Sequence, residues 1–293
     1  YNRQGTAAEL NTANAGTTEA VTITNITAIE ASTIGAINTL RSSLASDFTG
    51  ATNIANISVS GDTIDFTALS AEIDAFNLLN SPTAFALAAT TTVTLDDQSE
   101  VTDFISDVTS DPALLVVSGA NQAVTVTNSG AGGVDITVAE ANNITANAGG
   151  TVTATVSDGD LDTLTGLAAR ANAALTVTVT DTAGTAAELN TVNAGTTEAV
   201  TASAVTTIES STAANLASLM LAAQDTNQFT NTSFENLTTN GVTITGGTTI
   251  DVTNLNNAIS RTNTVASGAV DLVFSADDAT TTINGCLLYT SDA

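Results

Sequence analysis

Three aspartates at alternate positions are the residues of this chain that best fit a chemical site. The stretch SDGDLD contains Asp158, Asp160 and Asp162. Carboxylate oxygens are the ligands that calcium prefers, and alternate acidic positions occur in calcium-binding loops. The stretch departs from such loops because its glycine is at position 159 and no Glu lies at the twelfth position. The alternative is structural, with Asp158 or Asp160 capping a helix that begins near Leu161, where acidic groups suit the helix dipole.

Catalysis fits the residue types poorly. The chain has no Lys and no His, which removes the usual general bases and Schiff-base amines. It contains neither a G-x-S-x-G nucleophile elbow nor a phosphate-binding glycine loop. A carboxylate pair could hydrolyse glycosides, but such sites normally hold aromatic residues for sugar stacking, and Trp is absent. We therefore predict that the chain is not an enzyme and needs no cofactor, with calcium at the three aspartates as the alternative.

Charge and composition exclude several classes of partner. The net charge is −26, and only four cationic residues are present. Such a chain repels nucleic acid and anionic membranes, whereas it suits a saline exterior. No apolar run approaches the length of a membrane span, and the single Cys286 allows no internal disulfide. We expect no nucleic-acid partner, no membrane insertion, and an extracellular or cell-surface location.

Threonine recurs at every second residue in TVTAT at 151–155 and TVTVT at 176–180. In a strand this spacing places the threonines on one face. If successive strands stack in register, these faces form flat rows of hydroxyls and methyls that resemble ice-binding surfaces of β-solenoid proteins. The alternative is that Thr is a good outward-facing strand residue and solvates a sheet that has few charges.

The most informative pattern is an internal repeat. GTAAELNTANAGTTEAVT at 5–22 and GTAAELNTVNAGTTEAVT at 184–201 differ only at Ala13 and Val192. The same register continues without a gap to about residues 40 and 219, with identity fading while the pattern persists. Near-identical wording so far apart is typical of stacked structural units, in which each unit contacts only its neighbours.

Each unit combines a strand, a cap and a short helix. Ala186, Leu189 and Val192 form one helical stripe, and Ser211 and Thr212 offer an N-cap to the helix that follows. Further stripes are predicted, namely Val101, Phe104, Ile105 and Val108 behind Asp97 as cap; Leu69, Ile73 and Phe76; and Leu161, Leu164, Leu167 and Ala171. Alternating Val-Thr strands are predicted near 21–26, 91–95, 124–127, 134–138, 152–156, 175–180, 200–205, 242–245, 249–253 and 269–274.

Strands that alternate with short helices predict parallel pairing through right-handed crossovers. Neighbouring strand starts are often roughly 20–28 residues apart, as in solenoid repeats. We therefore predict an α/β fold, a right-handed repeat solenoid with a parallel β layer and short helices. The alternative is a pure β-solenoid. The stretches 128–150 and 225–265 are rich in Gly, Asn and Thr, and we predict β coils or loops there.

The wording DTAGTAAELNTVNAGTTEAVTASAVTTIESSTAANL at 181–216 resembles repeats of very large surface and secreted proteins of marine bacteria, cyanobacteria especially. The resemblance is clear over 181–216, good over 5–40 and faint over 151–180. The residues that carry it are Asp181, Thr182, Ala186, Ala187, Leu189, Asn190, Thr191, Thr196, Thr197, Val205, Thr206, Thr207 and Ile208. The resemblance implies an extracellular structural or adhesive role and no catalytic residues.

These observations predict one repeat array over 1–285, as a fragment of a longer chain. The tail CLLYTSDA at 286–293 breaks the Thr/Ala texture, and we predict that it is not native, because it resembles translated adapter sequence. The expected function is a structural or adhesive segment of a large secreted or cell-surface protein. Its expected partners are neighbouring repeats, cell-surface matrix or glycans. The alternative is a calcium-dependent or ice-binding module.

Overall fold

The computed structural model describes residues 4–50, 54–79, 83–88, 90–110, 113–119, 121–127, 134–238, 241–245, 249–266, 272–274 and 282–284. The tail at 286–293 lies outside the described residues. The helices are α1 (Ala7–Ala15), α2 (Ile34–Leu44), α3 (Phe66–Leu79), α4 (Gln98–Thr109), α5 (Val138–Asn147), α6 (Leu161–Leu164), α7 (Ala186–Ala194), α8 (Ala213–Ala222) and α9 (Val252–Val265).

Eighteen short strands accompany these helices within the described residues. The strands are β1 (Gly5–Thr6), β2 (Val21–Thr22), β3 (Ala28–Ser32), β4 (Phe48–Thr49), β5 (Asn56–Val59), β6 (Thr63–Asp65), β7 (Ala84–Leu87), β8 (Thr92–Leu95), β9 (Leu115–Val116), β10 (Ala123–Val126), β11 (Val152–Thr155), β12 (Ala173–Thr176), β13 (Ala183–Thr185), β14 (Thr207–Ser211), β15 (Val242–Ile244), β16 (Thr249–Asp251), β17 (Leu272–Phe274) and β18 (Thr282–Asn284). The strand pairings described are parallel. The predicted α/β class with parallel strands is confirmed, and the alternative without helices is wrong.

The chain divides into two compact units. Unit 1 contains residues 1–136 and 140–155, and unit 2 contains residues 137–139 and 156–293. Each unit holds one copy of the repeated wording, so the two copies can be compared inside their own surroundings.

Unit 1 stacks its strands in chain order. One sheet runs β1-β3-β5-β7-β9, and β6, β8, β10 and β11 are successive neighbours in another. In the first sheet Ile29 pairs with Ile57, Ile57 with Phe85, and Phe85 with Leu115. An apolar residue therefore meets an apolar residue at each step. In the second sheet the corresponding row is formed by Ile64, Val93, Val124 and Val152.

Pairs of phenylalanines pack in the core of unit 1 between successive passages of the chain. Phe66 meets Phe104 edge to face, with ring centroids 5.6 Å apart, and Phe76 meets Phe85 in the same way at 5.8 Å. All four rings are fully buried. Each pair joins one passage to the next, and such pairs contribute about 0.5–1.5 kcal/mol beyond their buried area.

Unit 2 follows the same plan. Its main sheet runs β13-β14-β15-β17, so that Gly184 pairs with Ile208, Ile208 with Val242, and Val242 with Leu272. Strands β16 and β18 form a second parallel pair. Single bridges at Thr178–Thr201 and Val200–Phe229 mark a third line of contact.

The strongest helix predictions are confirmed with their caps. Asp97 is the N-cap of α4 and accepts a hydrogen bond from the Glu100 amide, and Thr212 caps α8 through the Asn215 amide. The stripe Ala186, Leu189 and Val192 is fully buried on α7. A short side-chain acceptor in front of an apolar stripe was enough to place these helices.

The prediction of coils or loops for 128–150 and 225–265 is wrong where these stretches form helices. Helix α5 lies in the first and α9 in the second. Ala141 and Ile144 are buried on α5 and Ala148 just after it, and Ala258 and Thr262 are buried on α9 and Ala266 just after it. All of these residues except Ile144 are small or polar, so little in the sequence indicated a helical period.

Other predictions were wrong in extent. Helix α6 ends at Leu164, before Gly166, and Ala171 is exposed, so the predicted stripe stops after Leu167. Near 200–205 the structure has only isolated bridges at Val200 and Thr201. The full strand forms later, at β14. Val-Thr alternation thus marks extended chain but does not fix where pairing begins.

Candidate functional site

The contacts between successive turns of the chain are the structural feature that this sequence repeats most faithfully. We call one passage from a strand to its register partner a coil. Such a passage leads from Gly5 to Ile29 and, in unit 2, from Gly184 to Ile208. The candidate functional site is the set of polar side chains by which one coil holds the next.

The first amide of α1 is held by a serine from the following coil. The Ala7 amide donates to Ser32 Oγ at 2.8 Å, 25 residues later. In unit 2 the Ala186 amide donates to Ser211 Oγ at the same distance and the same separation in sequence. Helix-start amides have no partner within the helix, so each serine removes a donor that would otherwise be buried without one.

Each of these serines is fixed by a second hydrogen bond. Ser32 Oγ donates to the Glu30 carbonyl and Ser211 Oγ donates to the Glu209 carbonyl, both at 2.7 Å. The two serines are 5% and 4% exposed. Each hydroxyl therefore donates a hydrogen bond to its own strand and accepts one from the neighbouring helix.

Aspartates accept the first backbone amide of two further helices. The Val138 amide, which begins α5, donates to Asp158 Oδ2 at 2.7 Å. The Leu161 amide, which begins α6, donates to Asp181 Oδ2 at 2.6 Å. Both acceptors lie 20 residues after their donors. Four helices thus have their first amide bound by the coil that follows.

The proposed calcium ligands are therefore placed in three different settings. Asp158 holds the start of α5, as described above. Asp160 is the N-cap of α6 and accepts the Thr163 amide at 2.9 Å, and hydrogen bonding by Thr163 lowers the pKa of Asp160. Asp162 is exposed in the first turn of α6. Among the described residues no group of three His, Cys, Asp or Glu side chains is arranged to hold a metal ion. The calcium hypothesis stays a prediction.

Asparagines form a second set of matched contacts between coils. Asn11 Nδ2 donates to the Ala36 carbonyl at 2.9 Å, and Asn190 Nδ2 donates to the Asn215 carbonyl at 3.0 Å. Both contacts span 25 residues. These side chains join the helix of one coil to the first turn of the next helix.

Both copies also have a capping box at the start of the repeated helix. Thr6 and Glu9 cap each other's backbone at the start of α1, as Thr185 and Glu188 do at α7. The hydrogen bonds from Thr6 lower the pKa of Glu9, which keeps its carboxylate ionised. The polar residues that recur in the sequence thus make the same local and coil-to-coil hydrogen bonds in both units.

Unit 1 also buries charged groups between its helices. Arg41 Nε lies 2.8 Å from Glu72 Oε2, and Asn38 Nδ2 donates to Glu72 Oε1 at 2.6 Å. These residues tie α2 to α3. Glu100 accepts the Thr67 hydroxyl and the Asp96 amide, which ties α3 to α4. The negative charge of Glu100 raises the pKa of Asp96.

Asp107 on α4 is the buried carboxyl with the clearest perturbation. It is 8% exposed, and burial raises its pKa to about 6, with smaller contributions from Asp74 and Asp103. Burial disfavours a charged carboxylate, and neighbouring negative charges add to that effect. Perturbed carboxyls sometimes mark active sites, but here the perturbers are burial and two like charges on packed helices.

The predicted threonine rows exist over part of unit 1. Thr94, Thr125 and Thr153 lie in register on β8, β10 and β11. On β6 the residue in register with this row is Asp65. In the neighbouring row, which contains Thr92 of β8, the residue on β10 is Ala123. Thr94 Oγ1 donates to the Ile64 carbonyl at 3.2 Å, so this hydroxyl satisfies the sheet's own backbone.

Sequence reasoning missed the contact that Ser32 and Ser211 make to the helix starts. Ser211 was predicted, with Thr212, to cap the following helix, but only Thr212 is the cap of α8, and Ser211 binds the start of α7. The sequence does show that the two serines are equivalent, because Ser32 and Ser211 occupy the same position in the extended repeat. What the repeat could not show is that the partner of each lies 25 residues earlier in the chain.

None of the described helices is both long enough and apolar enough to span a bilayer. No protein-family model, curated protein or solved structure matches this chain.

Proposed function

We propose that this chain is a structural or adhesive repeat segment of a large secreted or cell-surface protein, built as a right-handed α/β solenoid and without catalytic activity. The observation that carries the proposal is the pair of matched hydrogen bonds, Ala7 to Ser32 and Ala186 to Ser211. A unit whose polar contacts point to the next unit is suited to stacking.

The composition supports an exterior setting. A net charge of −26 on a chain without Lys keeps the molecule soluble in salt water and away from nucleic acid. The role is mechanical, because many similar interfaces between coils share a load that is applied along the stack. Neighbouring repeats, cell-surface matrix and glycans are the proposed partners.

The absence of catalysis is supported by how the described polar groups are used. The buried serines, Glu72 and Glu100 are engaged in hydrogen bonds between helices and strands. With no Lys or His in the chain, a general base would have to be one of the carboxylates.

The proposal is tested by pulling the full chain from its two ends in a force spectrometer. A solenoid releases one coil at a time, so we expect a series of extension steps of about 80–100 Å, the extended length of roughly 25–30 residues. A single rupture that releases a whole unit at once contradicts the solenoid. Adhesion is tested separately, by binding of the intact labelled chain to immobilised polysaccharides.

A further inference from the structure

Among the described residues, no coil covers one side of the first coil of unit 1. We define the open face as Gly5, Ala13, Gly16, Thr17 and Thr22. Gly5 is half-buried, and the other four are exposed. The opposite side of the same coil packs on β3, β4 and α2.

The equivalent residues of the second copy are covered. Gly184, Val192, Gly195 and Thr196 are buried and Thr201 is half-buried. The cover is the preceding coil of unit 2, in which α6 packs on α7.

Two leucines of that preceding coil sit directly on the glycines. A Cβ atom on Gly184 would lie 2.1 Å from Leu161 Cδ1, and one on Gly195 would lie 2.6 Å from Leu167 Cβ. At Gly195 the close atom is the leucine Cβ, so a larger residue would displace the covering coil, and at Gly184 the end of the Leu161 side chain occupies the space that a Cβ would take. The first copy also has glycine at both positions, Gly5 and Gly16, but no leucine is found against either.

The preceding coil is also joined to the second copy by hydrogen bonds. Thr196 Oγ1 accepts the Leu175 amide at 3.0 Å and donates to the Leu175 carbonyl at 2.7 Å. The Thr201 amide donates to the Val177 carbonyl at 2.9 Å. The threonines of the repeated wording thus bond to the coil before them.

In the first copy the amide equivalent to that of Thr201 belongs to Thr22, and it is directed to the open face. The Val21 amide donates to the Asp47 carbonyl and the Ile23 amide donates to the Thr49 carbonyl, each at 2.8 Å. Amides of successive residues in a strand point to opposite sides. The Thr22 amide between these two therefore points away from β4, as the Thr201 amide points away from the following coil.

From this comparison we propose that the open face is a docking surface for a coil of the kind formed by residues 156–182. The occupant carries leucines at the positions of Leu161 and Leu167, which fill the hollows over Gly5 and Gly16 respectively, and a strand that bonds to Thr17 and Thr22. The inference rests on the proposed stacking function and names the partner of one particular face.

The one difference between the two copies lies on this face. Val192 is fully buried, whereas Ala13 is exposed. Valine at this position adds apolar contact only when the covering coil is present, and two further carbons on a covered surface strengthen packing.

The test adds the occupant to the full chain. Residues 156–182 replace residues 1–3, so that Thr182 joins Gln4 as it joins Ala183 in the second copy. Hydrogen exchange is then followed by NMR at the Thr22 amide. We expect exchange at least tenfold slower than in the unmodified chain, because the amide gains a carbonyl partner and loses contact with water. A matched control carries Leu161→Asp and Leu167→Asp in the added coil only, and it should leave exchange unchanged.

A second variant measures the same contact through thermal stability. Ala13→Val should raise the thermal midpoint of the extended chain and leave that of the unmodified chain within error. The same protection with the aspartate control would overturn the proposal. Protection of the unmodified chain that increases with protein concentration would assign the face to a second copy instead, and would also overturn it.

The native second copy separates this inference from the proposed function. If the Thr201 amide is protected in the unmodified chain and the added coil leaves Thr22 unprotected, the docking proposal fails while stacking stands. If the Thr201 amide exchanges freely as well, the stacking proposal itself fails.

Discussion

Ser211 accepts a hydrogen bond from the backbone amide of Ala186, 25 residues earlier, at 2.8 Å. The repeated wording reproduces this bond in the other unit, between Ser32 and Ala7. A helix start that depends on the next coil couples the two coils, because the first amide has no partner within its own helix. Repetition of the sequence is thus repetition of an interface.

The capping boxes should contribute equally in the two copies. Thr6→Ala and Thr185→Ala each remove an N-cap acceptor, so each should lower the free energy of unfolding by about 0.5–2 kcal/mol. The two losses should agree with each other more closely than with the loss from Thr212→Ala, which caps α8 without a box. Urea unfolding followed by circular dichroism measures all three, and a loss at only one copy contradicts the equivalence.

Removal of Arg41 should be costly, because it takes away the cation beside the buried Glu72 and leaves the neutral Asn38 amide as a hydrogen-bond donor. We expect Arg41→Ala to lower the free energy of unfolding by about 3 kcal/mol. Adding Glu72→Gln to that variant should recover part of the loss, since a neutral amide needs no cation. A double-mutant cycle in chemical unfolding measures the coupling. Additive losses would show that the pair does not interact.

Asp107 makes stability depend on pH. Its pKa is raised from the usual 3.8 to about 6 by burial first, so the folded state holds this proton more tightly than the unfolded state. The associated stabilisation is full below about pH 4 and is lost as pH rises through 6. Asp107→Asn should therefore raise the free energy of unfolding at pH 7.5 by about 1–2 kcal/mol, allowing for solvent screening, and should change it little at pH 4.

The measurement is the difference in unfolding free energy between the wild type and Asp107→Asn across this pH range. Taking the difference cancels the titration of the other carboxylates. Asp103→Asn is a matched control on the same helix, and its effect should be smaller. A difference that is flat with pH contradicts the assignment.

Calcium is expected to leave stability unchanged. Asp158 Oδ2 and Asp160 Oδ1 accept backbone amides at the starts of two different helices, and Asp162 is exposed, so the three carboxylates are not gathered around one point. Thermal melts with calcium and with chelator should have the same midpoint, whereas Asp160→Ala should lower stability by about 1 kcal/mol through loss of the cap. A midpoint that rises with calcium and falls with chelator favours the calcium-dependent alternative.

The sequence was most informative where one side chain decides a local structure. Asp97 before a clear apolar stripe predicted α4, and the stripe Ala186, Leu189 and Val192 predicted α7. It was least informative where burial uses small or polar residues. Thr262 is fully buried on α9, and such a residue gives no apolar signal.

Contacts between coils could not be derived from one sequence. The recurrence of Ser32 and Ser211 was visible, yet the distance of each to its partner amide depends on how many residues one coil contains. Asp158 shows the same limit, because its acidic neighbours suggested calcium while its actual partner lies 20 residues earlier. The local sequence shows which side chains could act as ligands or hydrogen-bond acceptors. The group that each of them binds depends on the neighbouring coil.

The central claim is that each coil is held by side chains of the next, in the same way in both copies. The most direct measurement is hydrogen exchange at the Ala7 and Ala186 amides in the wild type, in Ser32→Ala and in Ser211→Ala. We predict that Ser211→Ala accelerates exchange at Ala186 by at least tenfold and leaves Ala7 unchanged, with the reverse pattern for Ser32→Ala. Unchanged exchange at both amides in both variants would contradict the claim.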